Sequence, residues 1–269
     1  MSTTHPPRTL LEVTVSRVED LAANLRRVTF FSPELGAHKL SGPDEYFGLV
    51  MPRLGQPWRP FEVAGLANLR AAVAAIPRPE RPELRWYTVR RHRRRDFVID
   101  ADIVTHGDEG PGSAWISRVR PGQAASLWLC EALWRPGLPQ TLVADATAAP
   151  ALWHLCEQLD ARHPEALAEM SAVVLHSRDG ELEPGQVERW APRLGCFERI
   201  RCPANTAPDN ALAVLNSWRA EERLAPETLW VSGEGGLAKA VRGLAVQKWG
   251  LAKDAVVWVP YWFQGRARP

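Results

Sequence analysis

Short runs of β-forming residues dominate the first half of the chain. In Leu10–Val18 apolar and polar residues alternate, as expected of a strand with one buried face. Similar runs follow at Leu25–Phe31, Tyr46–Met51, Leu84–Arg90, Phe97–Thr105 and Ala125–Leu129. Evenly spaced short strands without long helices between them predict an antiparallel β-barrel.

A segment rich in proline and arginine, residues 52–82, interrupts these strands. Within it Ala71–Ile76 is apolar, and its pattern fits either a strand or a helical turn.

After residue 138 apolar strands alternate with amphipathic helices. The predicted strands are Thr141–Ala144, Ala172–Leu175, Thr228–Val231 and Ala255–Val259, and the predicted helices are Thr147–Leu159, Pro208–Trp218 and Leu237–Trp249. Asp145 stands where it could cap the first of these helices. The alternation predicts an α/β domain with a parallel sheet. Because Pro136, Gly137 and Pro139 break the chain, we predict domains at residues 1–136 and 137–269.

Composition narrows the class of protein. The 269 residues are 45% hydrophobic and 24% charged, and the net charge is only +2, so no strong attraction to polyanions follows. The basic residues form no face interleaved with aromatic residues, and we expect no nucleic-acid partner. The N-terminus lacks an apolar signal core, and no apolar run reaches spanning length, so we expect no integral membrane segment.

The four cysteines are Cys130, Cys156, Cys196 and Cys202. None forms a C-x-x-C pair, so neither a zinc ribbon nor an iron–sulfur cluster is predicted. Free thiols are typical of a reducing compartment, and we therefore expect a cytoplasmic protein. We also expect a monomer.

Two segments carry the candidate chemistry of the first half. Arg85, Trp86, Tyr87 and Thr88 lie on one predicted strand, and a glycine-rich turn, residues 106–115, leads into a helix. Together they could hold a flavin, with its ring on Tyr87, its edge at Thr88, and its phosphates at Arg85 and the helix start. An ordinary strand with an outward arginine is the alternative.

Two turns of the second half follow parallel strands at the edge where α/β sheets bind nucleotides. They are Asp145–Ala151 and Gly233–Gly235. Neither contains G-x-G-x-x-G, so the usual dinucleotide fingerprint is absent, and Asp145 could equally be a simple helix cap. At the end of another strand, residues 176–178 could bind the extra phosphate of NADPH, although Arg178 could equally be a solvated loop charge.

Five motifs in this order resemble the siderophore-interacting proteins, which are FAD-dependent ferric-siderophore reductases of the ferredoxin-reductase-like superfamily. The motifs are Arg85-x-Tyr87-Thr88-x-Arg90, His106-Gly107-Asp108-x-Gly110-Pro111-x-Ser113-x-Trp115, Asp145-x-Thr147-Ala148-x-Pro150-Ala151, Trp230-Val231-x-Gly233-Glu234 and Tyr261-Trp262-x-x-Gly265. The resemblance covers the chain from about residue 10 to residue 265.

The resemblance implies a reductase that passes electrons from NADPH or NADH through FAD to a ferric siderophore, which releases Fe(II). It implies that the barrel binds FAD through Arg85, Trp86, Tyr87, Thr88, His106, Gly107, Gly110, Gly112 and Ser113. It implies that the α/β domain binds the nicotinamide nucleotide through Asp145, Thr147, Ala148, Gly233, Glu234, Tyr261 and Trp262. The flavin performs the chemistry, so no catalytic side chain and no metal ligand are assigned.

Four positions depart from the family pattern. Gly48 and Phe263 stand where the family usually has a lysine and an arginine, Ala146 replaces a glutamate, and Gly112 replaces an alanine. Two alternatives therefore stay open: a flavin reductase with a different acceptor, or a non-catalytic protein that binds flavin or siderophore.

Overall fold

The computed structural model describes residues 10–53, 55–61, 63, 68–105 and 111–265. The chain divides into two compact units. The first contains the described residues up to Asp20 and those from Arg26 to Ala132, and the second contains Leu21–Leu25 and the residues from Leu133 onward.

Antiparallel strands build the first unit, which confirms the predicted fold class. Within the described residues they are β1 (Leu10–Ala22), β2 (Leu25–Phe31), β3 (Tyr46–Met51), β4 (Glu83–Thr88), β5 (Arg91–Arg93), β6 (Val98–Val104) and β7 (Ala124–Cys130). Their order in the sheet is β4-β3-β7-β1-β2-β6-β5, so β4 stands at one end. Alternate residues such as Val15, Phe47 and Leu127 are fully buried in one core, as period-2 patterning requires.

Helices α1 (Leu69–Ala75) and α2 (Pro111–Arg118) belong to the same unit. The ambiguous apolar run 71–76 is helical as far as Ala75, because the side chain of Asn68 accepts hydrogen bonds from the N–H groups of Arg70 and Ala71 and caps the helix. Leu69 and Val73 of α1 pack with Val50 against the opposite face of the sheet from the core.

A parallel sheet forms the second unit, as predicted. Its described strands are β8 (Gln140–Asp145), β9 (Met170–His176), β10 (Cys196–Arg201), β11 (Thr228–Glu234) and β12 (Val256–Trp262), in the order β10-β9-β8-β11-β12. The helices are α3 (Ala149–Arg162), α4 (Gln186–Trp190), α5 (Ala207–Ala220) and α6 (Gly235–Gly243), and a π-helical turn, Leu244–Lys248, follows α6. The sequence patterns did not predict β10 or α4.

Two predicted helix starts were wrong, and each has a local cause. Helix α3 begins at Ala149 rather than at residue 147, because the Asp145 side chain binds the turn before the helix instead of its first residue. Helix α6 begins at Gly235, two residues earlier than predicted, because the side chain of Glu234 caps it.

All four cysteines are free and buried. No cluster of three histidine, cysteine or acidic side chains suited to a metal ion occurs in the described part of the chain. In the same ranges, no helix combines the length and the apolar character that crossing a membrane requires.

Candidate functional site

Strand β4 and the start of α2 meet at Arg85 and Gly112. A Cβ atom placed on Gly112 would lie 2.8 Å from Cγ and 3.2 Å from Nε of Arg85, so the arginine side chain lies directly across the glycine. An alanine here would push the arginine away, which gives a physical reason for glycine at this position. The structure thus brings together the arginine and the helix start that the sequence predicted separately.

The guanidinium of Arg85 has spare hydrogen-bonding capacity. Its Nη1 donates to the carbonyl oxygen of Leu84 at 2.7 Å and lies 3.6 Å from Oε2 of Glu83, and the side chain is 40% exposed. An exposed ion pair at this distance contributes little. A planar fork beside the first turn of a helix fits a diphosphate, so these residues fit the phosphates of FAD.

Tyr87 and Thr88 lie next to this cation. The half-buried ring of Tyr87 packs against Phe47 with a centroid distance of 6.3 Å, which leaves part of the ring for a flat ligand. Burial raises the pKa of Tyr87 to about 12, and the charge of Arg85 opposes that shift. Thr88 is buried and pairs with Tyr46 of β3, so by strand alternation Thr88 and Trp86 lie on the face of β4 opposite Tyr87.

Part of the glycine-rich turn stays a prediction. His106, Gly107 and Gly110 lie outside the described residues. Ser113 lies in the first turn of α2, where its carbonyl oxygen accepts a hydrogen bond from the Ser117 hydroxyl at 2.6 Å.

Arg90, the last residue of the first motif, is structural. It is fully buried, and its Nε lies 3.8 Å from Oδ2 of Asp102. Arg27 makes two hydrogen bonds to the same carboxylate, at 2.6 and 2.7 Å. A buried acid with two cationic neighbours is expected inside a core, where an unpaired charge would be costly.

Asp145 links three strand ends of the second unit. Its Oδ1 accepts hydrogen bonds from the N–H of Thr147 (2.8 Å), the Thr147 hydroxyl (2.6 Å) and the N–H of Ala148 (3.3 Å). Its Oδ2 accepts from the N–H of Glu234 (2.7 Å) and from Nε1 of Trp262 (2.8 Å). Burial raises the pKa of Asp145, and these hydrogen bonds oppose the shift.

Gly233 makes room for this carboxylate. Its φ is +129°, and a Cβ atom there would lie 2.4 Å from Cγ of Asp145. Only glycine combines that backbone conformation with so close an approach. The register of β11 against β12 shifts at this point, between Gly233 and Glu234.

The free N–H groups at the start of α6 are hydrogen-bonded by a side chain of the protein itself. Oε2 of Glu234 accepts hydrogen bonds from the N–H groups of Gly236 and Leu237, and its Oε1 accepts one from the N–H of Gln264 at 3.2 Å. The ring of Phe263 lies against Gly235 and leaves no space for a Cβ atom. The usual anion position at a helix N-terminus is therefore taken by a protein carboxylate.

Most of the polar groups predicted to contact a nucleotide therefore already make hydrogen bonds to other groups of the protein. Asp145, Thr147, Glu234 and Trp262 hydrogen-bond to one another or to the local backbone, whereas Tyr261 is half-buried against the α3 side of the sheet. The sequence order could not reveal these pairs, because 89 and 117 residues separate Asp145 from its two partners on β11 and β12.

The loop after β9 contains an acid that sequence reasoning missed. Glu181 is buried, and its carboxylate accepts hydrogen bonds from the N–H of Ser177 at 2.7 Å and from its hydroxyl at 3.3 Å. His176 Nδ1 lies 3.0 Å from the carbonyl oxygen of Arg178, whose side chain is exposed.

Two of the positions that depart from the family pattern are enclosed by neighbours. A Cβ atom on Gly48 would lie 2.8 Å from Cδ2 of Leu69 and 3.1 Å from Cζ3 of Trp86, so a lysine would require repacking there. Ala146 is buried.

Two family models together match most of this chain. The siderophore-interacting FAD-binding domain matches residues 14–129, and the siderophore-interacting protein model matches residues 139–265. The chain is 24% identical over 264 residues to ferric vibriobactin reductase ViuB of Vibrio cholerae, covering 93% of this chain and 88% of that protein.

Solved structures share the fold at low sequence identity. The siderophore-interacting protein SipS from Aeromonas hydrophila has a TM-score of 0.69 at 24% identity, covering 97% of this chain and 94% of that one. Ferredoxin-NADP+ reductase from Plasmodium falciparum has a TM-score of 0.65 at 13% identity, covering 96% of this chain and 98% of that one. The fold is therefore ferredoxin-reductase-like, and with both of its units matched the chain belongs to the siderophore-interacting protein family.

Proposed function

We propose that this protein is a flavin-dependent reductase that moves electrons from NAD(P)H through FAD to a ferric siderophore and so releases Fe(II). The observation that carries the proposal is Arg85 lying across Gly112, next to the half-buried ring of Tyr87, in a unit that matches an FAD-binding domain. The reductase named among its relatives supports the same reaction class.

In the first unit, Arg85 and the start of α2 would bind the FAD phosphates, and Tyr87 would cover part of the flavin ring. When bound, FAD supplies the conversion between a two-electron donor and a one-electron acceptor.

In the second unit, the carboxyl edge of the parallel sheet would receive NAD(P)H. Asp145 holds the ends of β8, β11 and β12 together, so this edge has a defined shape before any ligand binds. Because their polar groups already make hydrogen bonds within the protein, the residues there would orient the nicotinamide through the shape of this edge.

The overall reaction balances without a protein acid or base. One NAD(P)H gives two electrons, two Fe(III) chelates become two Fe(II) chelates, and one proton is released. Oxygen-donor chelators bind Fe(II) less tightly than Fe(III), so the metal leaves. We also propose a cytoplasmic location, which the four free thiols support, and a monomeric state.

An anaerobic titration of the FAD-loaded protein with NADPH, and separately with NADH, tests the first half of the proposal. We expect the visible flavin band to bleach. Addition of a ferric chelate should restore the band while a ferrous-specific dye records two Fe(II) per NAD(P)H. A protein that takes up no FAD, or whose flavin neither nucleotide reduces, would refute the proposal.

The same experiment separates the acceptors. A flavin that NAD(P)H reduces, and that a generic dye but no ferric chelate reoxidises, would identify a reductase with a different acceptor. The enclosed Gly48, where the family usually carries a lysine, is the observation that favours this second candidate.

A further inference from the structure

An aromatic surface lies on the face of β3 and β4 opposite the buried core. The rings of Tyr46 and Trp86 have centroids 5.8 Å apart, and those of Trp58 and Phe61 lie 6.5 Å apart. All four side chains are only half-buried. We refer to Tyr46, Trp58, Phe61 and Trp86 as the aromatic face.

A guanidinium group stands over this face. The guanidinium carbon of Arg70 lies 5.9 Å from the centroid of the Trp86 ring, and the N-terminal turn of α1 fixes its backbone. Neighbouring arginines are paired, since Arg53 contacts Glu83 at 3.2 Å and Arg59 contacts Glu80 at 3.6 Å. Among the described residues, no carboxylate lies within ion-pair distance of the Arg70 guanidinium.

This combination selects for a particular ligand chemistry. A partly exposed indole offers a stacking surface, and a guanidinium without an acidic partner among the described residues offers charge-assisted hydrogen bonds to an anionic oxygen. A catecholate has both a flat ring and anionic oxygens on that ring. A hydroxamate chelator of aliphatic chains has the oxygens but no ring.

We propose that Arg70 and the aromatic face bind the aromatic ring of a catecholate-type ferric chelate, so that this protein prefers aromatic over aliphatic chelators. The inference rests on the proposed function, because it names the acceptor class of that reductase. Trp86 directly precedes Tyr87 on β4, the end strand of its sheet, and the two side chains lie on opposite faces of that strand. A chelate on Trp86 would therefore be separated from a flavin on Tyr87 by this one strand.

Binding can be measured without electron transfer by using gallium, which has the charge of Fe(III) and is not reduced. The probes are the Ga(III) complexes of 2,3-dihydroxybenzoate and of the hydroxamate desferrioxamine, titrated into the FAD-loaded protein by calorimetry. We expect the catecholate complex to bind at least tenfold more tightly. Arg70→Gln and Tyr46→Leu should each weaken its binding about tenfold, as expected for the loss of a charge-assisted hydrogen bond or a ring contact.

Arg70→Lys should recover part of the affinity, because it keeps the charge but loses the fork. Arg59→Gln is the matched control, since Arg59 is an ion-paired and 69% exposed arginine of the same segment, and it should bind like the unaltered protein. Equal affinity for both complexes, or an Arg70→Gln variant that binds normally, would overturn the inference.

The outcomes separate the inference from the function on which it rests. If both ferric chelates are reduced equally and gallium binding shows no preference, the inference fails and the reductase stands. If the gallium catecholate binds in an Arg70-dependent way but no ferric chelate is reduced, the reductase fails and the binding site stands.

Discussion

The two candidate ligand sites of this protein differ in how much of their hydrogen bonding is already satisfied. In the first unit, Arg85 is 40% exposed and lies over a bare glycine with one weak acidic neighbour. In the second unit, Asp145 is 9% exposed and accepts five hydrogen bonds, and Glu234 caps its own helix.

The difference separates two ways of building a site. An arginine over a helix start keeps hydrogen-bond donors available for an anion. The free energy of binding such a ligand therefore comes from charge-assisted hydrogen bonds to it. A carboxylate surrounded by protein donors contributes shape instead. Substitutions in the first unit should therefore change affinity for FAD, whereas substitutions at the edge of the second should mainly change folding stability.

The largest effect is expected at Gly233. In Gly233→Ala the new methyl group would overlap the Asp145 carboxylate in a backbone conformation that alanine rarely adopts, at a cost of about 3 kcal/mol in the free energy of unfolding. Urea denaturation measures this loss.

Two glycines serve as controls for that substitution. Gly250 has a φ of +74° with open space around it, so Gly250→Ala tests backbone strain alone and should cost about 1 kcal/mol. Gly243 lies in α6 with open space and a helical φ, so Gly243→Ala should be neutral or stabilising. Equal losses at Gly233 and Gly250 would show that the Asp145 contact is unimportant.

The next largest effect is expected at Arg85, and it should appear as weaker binding of FAD. Arg85→Ala should raise the dissociation constant for FAD about 30-fold, equivalent to about 2 kcal/mol for lost charge-assisted hydrogen bonds. Fluorescence titration of the flavin-free protein measures it, with Arg59→Ala as the control. Unchanged FAD affinity in Arg85→Ala would contradict the proposed phosphate contact.

A smaller effect is expected at Glu234. Glu234→Ala removes the cap of α6 and should lower the free energy of unfolding by about 1 kcal/mol. Glu165→Ala, an exposed acid at the start of a 3-10 turn, should change stability much less. If Glu234→Ala instead weakened nucleotide binding without changing stability, the carboxylate would be a ligand contact and the contrast between the units would disappear.

The last effect is confined to alkaline pH and concerns Tyr87. Its pKa is about 12 in the folded protein against 10.0 when unperturbed, so the folded state keeps a proton that the unfolded state releases. Stability should therefore fall as pH rises from 10 toward 12, and Tyr87→Phe should fall less. The chain has three tyrosines, so absorbance titration of the phenolates can assign the latest one. A Tyr87→Phe protein that keeps the late titration would contradict the assignment.

Local patterns predicted much of this molecule. Period-2 alternation and β-forming runs located most strands of the first unit, and the apolar strands of the second predicted a parallel sheet. Arg85 and Gly112 were recognisable because an arginine on a strand and a glycine at a helix start can both donate hydrogen bonds to a phosphate. The segment 71–76 was ambiguous because its helix depends on a cap at Asn68, just outside the apolar run.

The carboxyl edge of the parallel sheet was harder to predict, because its interactions are non-local. Asp145 was expected to cap a helix or contact a ligand, and its partners Glu234 and Trp262 could be found only after the strands were placed side by side. Arg70 was missed for a similar reason, since nothing in the sequence places it over Trp86.

The buried cysteines can report on local opening of each unit without any substitution. Cys130 lies in the first unit, whereas Cys156, Cys196 and Cys202 lie in the second, and all four thiols are shielded in the folded protein. A thiol reagent can react only when the surrounding structure opens. Mass spectrometry of partly labelled protein would therefore record separately how often each unit opens, and whether FAD closes one while NADPH closes the other.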